Sequence, residues 1–186
     1  YMTTKLEGAQ TYFLPFNQGS NGSGKDGGAG NPRNKEEGQD YVTEYFWRNV
    51  LQKDKLLDIL QKFISFERTE KKKTKPDGST ETTISKKVIF PRYHQLDVVR
   101  KLVNHVRENG AGHNYLIQHS AGSGKSNSIA WTAYRMASLH DENNNSVFDS
   151  VIIVTDRRVL DQQLQATVSG FDHTLGSVVT IDEKKN

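Results

Sequence analysis

The sequence contains no cysteine. That excludes disulfides, cysteine-ligated zinc or iron–sulfur sites, and a cysteine nucleophile. It fits a cytoplasmic setting. Long apolar runs are missing too. The longest aliphatic stretch is Val151–Val154, far short of a membrane span. Apolar residues make up only 34% and the mean hydropathy is −0.72, so part of the chain is expected to lie in surface loops. Charge of either sign is scarce in excess. Lys and Arg number 25 against 22 Asp and Glu, a net +3. This excludes a histone-like polycation and leaves room for a local basic surface. No signal peptide follows Tyr1, and a start at Tyr is expected of a piece of a longer chain.

The 186 residues allow one domain, or one domain with a small appendage. Seven of the 15 glycines fall between Gly19 and Gly38, which predicts a long surface loop. Residues 1–92 carry 16 basic and 12 acidic side chains, whereas residues 93–186 carry 9 and 10. A boundary near Pro91 follows, with residues 1–90 as a helical and hairpin segment and 91–186 as a second unit.

Within the first unit, Thr11–Phe16 reads as a strand or a packed arm. Asp40 is placed to cap a helix presenting Tyr41, Tyr45, Trp47, Val50 and Leu51. Leu56, Leu57, Leu60, Phe63 and Ile64 form a second amphipathic stretch. Thr-rich arms around Pro76-Asp77-Gly78 predict a β-hairpin. Glu67 and Glu70 within it read as solvated charge.

The second unit is patterned differently. Leu96, Val99, Val103 and Val106 recur at helical spacing, and Gly110 ends that helix. Tyr115–Gln118 predicts a buried strand. Ser126–Leu139 predicts a helix with Ile129, Ala130, Ala133, Met136 and Ala137 on one face. Val151–Thr155 is apolar on both faces, as a central parallel strand is. A further helix is expected over Arg157–Val168. This order predicts an α/β fold with a parallel sheet.

Between the strand and helix predicted on either side of it lies His119-Ser120-Ala121-Gly122-Ser123-Gly124-Lys125-Ser126. Strand, glycine-rich loop, Lys-Ser and helix form the context of a phosphate-binding P-loop. Ala121, Gly122, Ser123 and Gly124 would wrap backbone N–H groups around phosphate, and the helix dipole would point at the same anion. Lys125 would reach the β- and γ-phosphates of ATP, and the Ser126 hydroxyl would ligate Mg²⁺. His119 stands where the motif usually has its first Gly. The plainer reading is a Gly/Ser turn capping a helix, with Lys125 solvated.

Upstream, Phe90-Pro91-Arg92-Tyr93-His94-Gln95 offers an amide for the adenine edge at Gln95 and a stacking ring at Tyr93 or Phe90. Alone, the same residues read as an ordinary helix start. Thr155, Arg157 and Arg158 follow the last strand and could hold nucleic-acid phosphate. The alternative there is a capped helix whose arginines pair with Asp156 and Asp161.

These segments together resemble the restriction subunit (HsdR) of type I restriction–modification enzymes. IQHSAGSGKSNSIAW is similar to that family's helicase motif I, including its His. VIIVTDRRVLDQQL resembles motif Ia and PRYHQ the Q-motif region. YMTTKLEGAQTYFLPFNQG, GGAGNP and YVTEYFWRNVLQKDKLLDILQKFI carry the likeness through the N-terminal half.

The resemblance implies a partial RecA-like motor domain of superfamily-2 type, truncated before its Walker B motif and preceded by a post-nuclease segment. It implies ATP and Mg²⁺ as cofactors. Double-stranded DNA and the methyltransferase and specificity subunits would be partners. The whole subunit would be a cytoplasmic, ATP-dependent translocase and site-specific deoxyribonuclease. The nuclease residues would precede Tyr1, and the Walker B motif and arginine finger would follow Asn186. Asp182-Glu183 lacks the apolar strand of a Walker B. Two alternatives stand beside this: another superfamily-2 translocase or helicase, and a non-catalytic interaction module.

Overall fold

The computed structural model describes residues 1–74, 79–156, 164, 165, 167 and 168. Among the described residues the continuous elements are α1 (Lys53–Lys62), β1 (Ser65–Thr74), β2 (Thr80–Ile89), α2 (Tyr93–Asn109) and α3 (Lys125–Ala137); of the helix expected over Arg157–Val168, Leu164, Gln165, Thr167 and Val168 are helical and the rest lies outside the described residues. Two short turns precede them, a 3₁₀ turn at Gly8–Gln10 and a π turn at Phe46–Val50.

The core forms where the helical spacing places it. On α2, Leu96, Val99, Leu102, Val103 and Val106 are buried. Gly110 ends the helix with a positive φ of 73°, and its N–H donates to Val106 O at 2.8 Å. On α1 the buried residue is Ile59, continued one turn later by Phe63, while Leu57 and Leu60 face outward. The amphipathic stripe is therefore narrower than the run of leucines implies.

α3 turns on Trp131, which is fully buried. Its Nε1–H donates to Phe63 O at 2.9 Å, tying α3 to the end of α1. Asp58 completes the joint. Its carboxylate meets Arg135 at 2.8 Å and Arg100 at 3.2 Å, one from each of the other two helices. Both guanidinium groups also lie over the Phe63 ring. Ile129 and Ala130, expected on one buried face, divide: Ala130 is buried and Ile129 is exposed.

The N-terminal arm packs through Phe16. Its ring meets Phe46, Phe90 and Tyr93 edge-on, and its carbonyl accepts from the Tyr45 hydroxyl at 2.9 Å. The core thus draws on residues from both sides of Pro91. The glycine-rich stretch is a surface loop closed by Gly19 N–H to Gly30 O and Ser20 N–H to Gly28 O. The helix expected from Asp40 is replaced by turns and the π turn. Glu44, buried, accepts from Asp40 N–H and pairs with Arg48, so the side chain of Glu44 secures this corner in place of an Asp40 cap.

The hairpin is present, antiparallel, in register from Ser65↔Ile89 to Thr74↔Thr80. Its Pro76-Asp77-Gly78 turn lies outside the described residues. The parallel sheet is not formed among the described residues, whose only sheet is this hairpin. Tyr115–Gln118 and Val151–Thr155 carry no regular secondary structure and belong to no ladder, and their apolar side chains are exposed where a buried and a central strand were expected. Their exposure still alternates along the chain, with Leu116 at 94% against Ile117 at 41%, and Ile152 at 79% against Ile153 at 37%. Alternation is the signature of an extended backbone. The exposure pattern fits the expected strands, and no neighbour among the described residues pairs its N–H and C=O groups with them. No helix among the described residues is long and apolar enough to cross a membrane.

Candidate nucleotide-phosphate site

The loop from His119 to Gly124 leads directly into α3. Two of its residues, Gly122 and Gly124, have φ of 72° and 83°, values that L side chains rarely adopt. Gly124 is the residue before the helix, in the left-handed region. Lys125 and Ser126 are the first two helical residues, so their N–H groups have no partner within the helix. They are free to bind an anion at the positive end of the helix dipole.

The space around the loop is unequal on its two sides. A Cβ at Gly122 would meet nothing within 4 Å. A Cβ at Gly124 would lie 2.5 Å from Gln95 Nε2. Gly122 faces open space, and Gly124 is pressed against α2. Ala121 is exposed, Ser126 half-buried, and Ser123 buried with its Oγ lacking a protein partner.

Lys125 lies back across its own loop. Its ammonium donates to Ser120 O at 2.9 Å and His119 O at 3.2 Å. These neutral acceptors hold the charge that a phosphate would otherwise receive. The bonds to these carbonyls are charge-assisted on the donor side only, whereas a phosphate would add a full opposite charge on the acceptor side.

The first turn of α2 supports the loop from beneath. Gln95 is only 3% exposed. Its Oε1 accepts from Arg92 N–H at 2.8 Å and its Nε2 donates to Gly124 O at 2.8 Å. Its amide is thus engaged with backbone and is not turned toward a base. Tyr93, expected as a stacking ring, is buried. It packs edge-on against Phe16 and Tyr45 and receives a bond from Gln18, so its ring serves the core. Burial raises its hydroxyl pKa.

His94 is a residue that sequence reasoning passed over. Its Nε2 is 3.0 Å from Ser123 O, and its ring meets His119 edge-on at 4.9 Å. A carbonyl only accepts, so Nε2 carries the proton. Burial pushes the pKa of both histidines down; at His94 the bond to Ser123 O opposes this while His119 and Arg92 add to it, and at His119 Lys125 adds to it. The one signal in the sequence was the pairing of a His beside Gln95 with a His at the usual Gly of the loop.

Of the DNA-contact candidates, Thr155 is half-buried at the end of its segment. Arg157 and Arg158 lie outside the described residues. Among the described residues no cluster of three His, Asp or Glu side chains forms a metal site. The Ser126 hydroxyl, at the start of α3, is suited to a cation that is also held by phosphate oxygens.

Residues 94–185 match the family model of the SWI2/SNF2 ATPases. The matched span begins at His94 and includes the loop, α3 and Val151–Thr155. It supports a superfamily-2 helicase-type ATPase segment, with a P-loop NTPase-type domain and ATP as its nucleotide. No curated protein and no solved structure matches the chain.

Proposed function

We propose that this chain is the ATP-binding part of the restriction and translocation subunit of a type I restriction enzyme. One observation carries the nucleotide reading: two positive-φ glycines deliver Lys125 and Ser126 to the first turn of α3, with open space beside Gly122. The family match over residues 94–185 supports the ATPase class. The N-terminal segments FLPFNQG and GGAGNP support the restriction-enzyme assignment by their resemblance.

In this reading the N–H groups of Gly122 to Ser126 bind the phosphates and Lys125 neutralises their charge. Mg²⁺, when bound, supplies further charge neutralisation between phosphate oxygens, and Ser126 is its ligand from this chain. Thr155, Arg157 and Arg158 contact the DNA backbone without reading sequence. Site recognition falls to a specificity subunit, and a methyltransferase subunit completes the assembly.

The test is DNA-stimulated ATP hydrolysis by the intact subunit. Lys125→Ala abolishes it. Arg157→Ala/Arg158→Ala weakens DNA binding uniformly across sequences and flattens its salt dependence by up to about two units of slope, at roughly 0.9 per phosphate contact. Turnover that persists in Lys125→Ala defeats the assignment. A second reading, another superfamily-2 DNA translocase, draws on the family match itself, which leaves residues 1–93 outside it. Cleavage of DNA by the intact complex separates the two.

A further inference from the structure

The loop's two central carbonyls are both tied to the first turn of α2. Ser123 O faces His94 Nε2 at 3.0 Å and, at a longer 3.4 Å, Gln95 Nε2, which is also 2.8 Å from Gly124 O. A peptide unit is planar and trans, so its C=O and N–H point in opposite directions. Fixing the Ser123 carbonyl on α2 therefore turns the Gly124 N–H to the other side of the loop. Fixing the Gly124 carbonyl does the same for the Lys125 N–H. Those two N–H groups lie at the entrance to α3, where the proposed phosphate would bind.

We propose that His94 is a positioning residue which, with Gln95, clamps these carbonyls and so aims the phosphate-binding N–H groups before nucleotide arrives. The inference rests on the phosphate-site reading and gives it a mechanism of preorganisation. His94 holds the loop at two points, since its ring also meets His119 at the loop's first residue. Gln95 is fixed from behind by its bond to Arg92 N–H, so its amide cannot swing without breaking the start of α2. The contact is close enough to demand glycine at 124, because a Cβ there would displace the Gln95 amide. In this arrangement Gln95 acts on phosphate through the loop, not on adenine.

The ligand class that reports on the clamp is a polyphosphate, with or without a base. Two substitutions divide the roles of His94. His94→Phe keeps a ring against His119 and removes the donor. His94→Gln removes the ring and keeps an N–H near the position of Nε2. Amide hydrogen exchange on the full chain without nucleotide is read at Ser123, Asn127 and Ser128, whose N–H groups donate to Ser120 O and Gly124 O. Loss of a bond to a buried carbonyl makes exchange there at least about five-fold faster in His94→Phe, with His94→Gln close to wild type. Protection of α2 and α3 beyond their first turns stays unchanged.

Titration with Mg·ATP and with tripolyphosphate follows. His94→Phe weakens both by a similar factor, and Gln95→Ala does the same. Equal loop exchange in all three forms overturns the proposal. So does exchange in His94→Gln as fast as in His94→Phe, which would assign the effect to the ring alone. Exchange accelerated throughout α2 and α3 also overturns it, as a general loss of structure. Loss of ATP binding with tripolyphosphate binding intact in Gln95→Ala overturns the Gln95 half in favour of adenine reading. A wild-type chain that binds neither probe, yet shows the expected exchange pattern, defeats the phosphate-site reading and leaves the clamp standing.

Discussion

Gln95 Nε2 lies 2.8 Å from the carbonyl oxygen of Gly124, and a Cβ on Gly124 would come within 2.5 Å of that same nitrogen. The bond and the glycine are two sides of one constraint. Gly124→Ala pays twice: a left-handed φ of 83° and a displaced amide. Gly122→Ala meets only the first cost, because nothing lies within 4 Å of its Cβ. We expect urea unfolding to place Gly122→Ala about 1–2 kcal/mol below wild type, and Gly124→Ala a further 1–3 kcal/mol lower as buried groups lose their partners. Equal losses for the two alanines would show that the Gln95 contact does not constrain the loop.

Trp131 is the pivot between α1 and α3. Its ring is fully buried and its Nε1–H is satisfied by Phe63 O. Trp131→Ala should cost about 3–5 kcal/mol, the range for large aromatics in a core. Trp131→Phe keeps most of the ring and leaves the Phe63 carbonyl without its donor, a loss of about 1–3 kcal/mol. Denaturation midpoints measured at constant slope give both values. A loss below about 1 kcal/mol for Trp131→Ala would contradict the core described above.

How much of this was legible in the sequence depends on the range of the interaction. α2 was read almost residue by residue, because Leu96, Val99, Val103 and Val106 repeat at one helical period and Gly110 needs its positive φ. The hairpin was equally plain, since its arms pair locally. Trp131 was missed as the centre of α3 because its partner, Phe63, is 68 residues away. Tyr115–Gln118 and Val151–Thr155, read as buried strands, are exposed and join no sheet among the described residues. Apolar alternation sets the conformation of a strand, whereas a ladder needs a partner that the segment itself does not encode. In the site, the loop was legible from its glycines and Lys125. The engagement of Gln95 with Gly124 and of His94 with Ser123 was not, because a side-chain amide or imidazole has no sequence pattern that names its acceptor.

The two histidines at the loop make stability depend on pH with a definite sign. Burial lowers the pKa of His94 and of His119 below the ordinary 6.5. The unfolded chain then binds more protons than the folded one once pH falls below that value, so stability rises with pH there. The contribution is fully present above pH 6.5 and is lost as pH falls through the lowered folded values. The Ser123 carbonyl on His94 opposes the shift, whereas His119 and Arg92 beside His94, and Lys125 beside His119, reinforce it, and burial decides the direction. Urea midpoints should fall from pH 7.5 to 5.5, and His94→Gln/His119→Gln should flatten that fall. An unchanged slope in the double variant would assign the acid loss to other groups.

Calorimetric titration of Mg·ATP into the chain and into Lys125→Ala tests the central claim most directly. Among the described residues Lys125 donates to the loop carbonyls of His119 and Ser120, and it is exposed, so its removal is expected to leave the fold intact. The account predicts saturable binding by the wild-type chain. It predicts at least about ten-fold weaker binding by Lys125→Ala, for the loss of a charged hydrogen bond to phosphate of about 1.5–3 kcal/mol, with an unchanged urea midpoint. Equal affinity in the two proteins, or no binding by the wild-type chain, would contradict it.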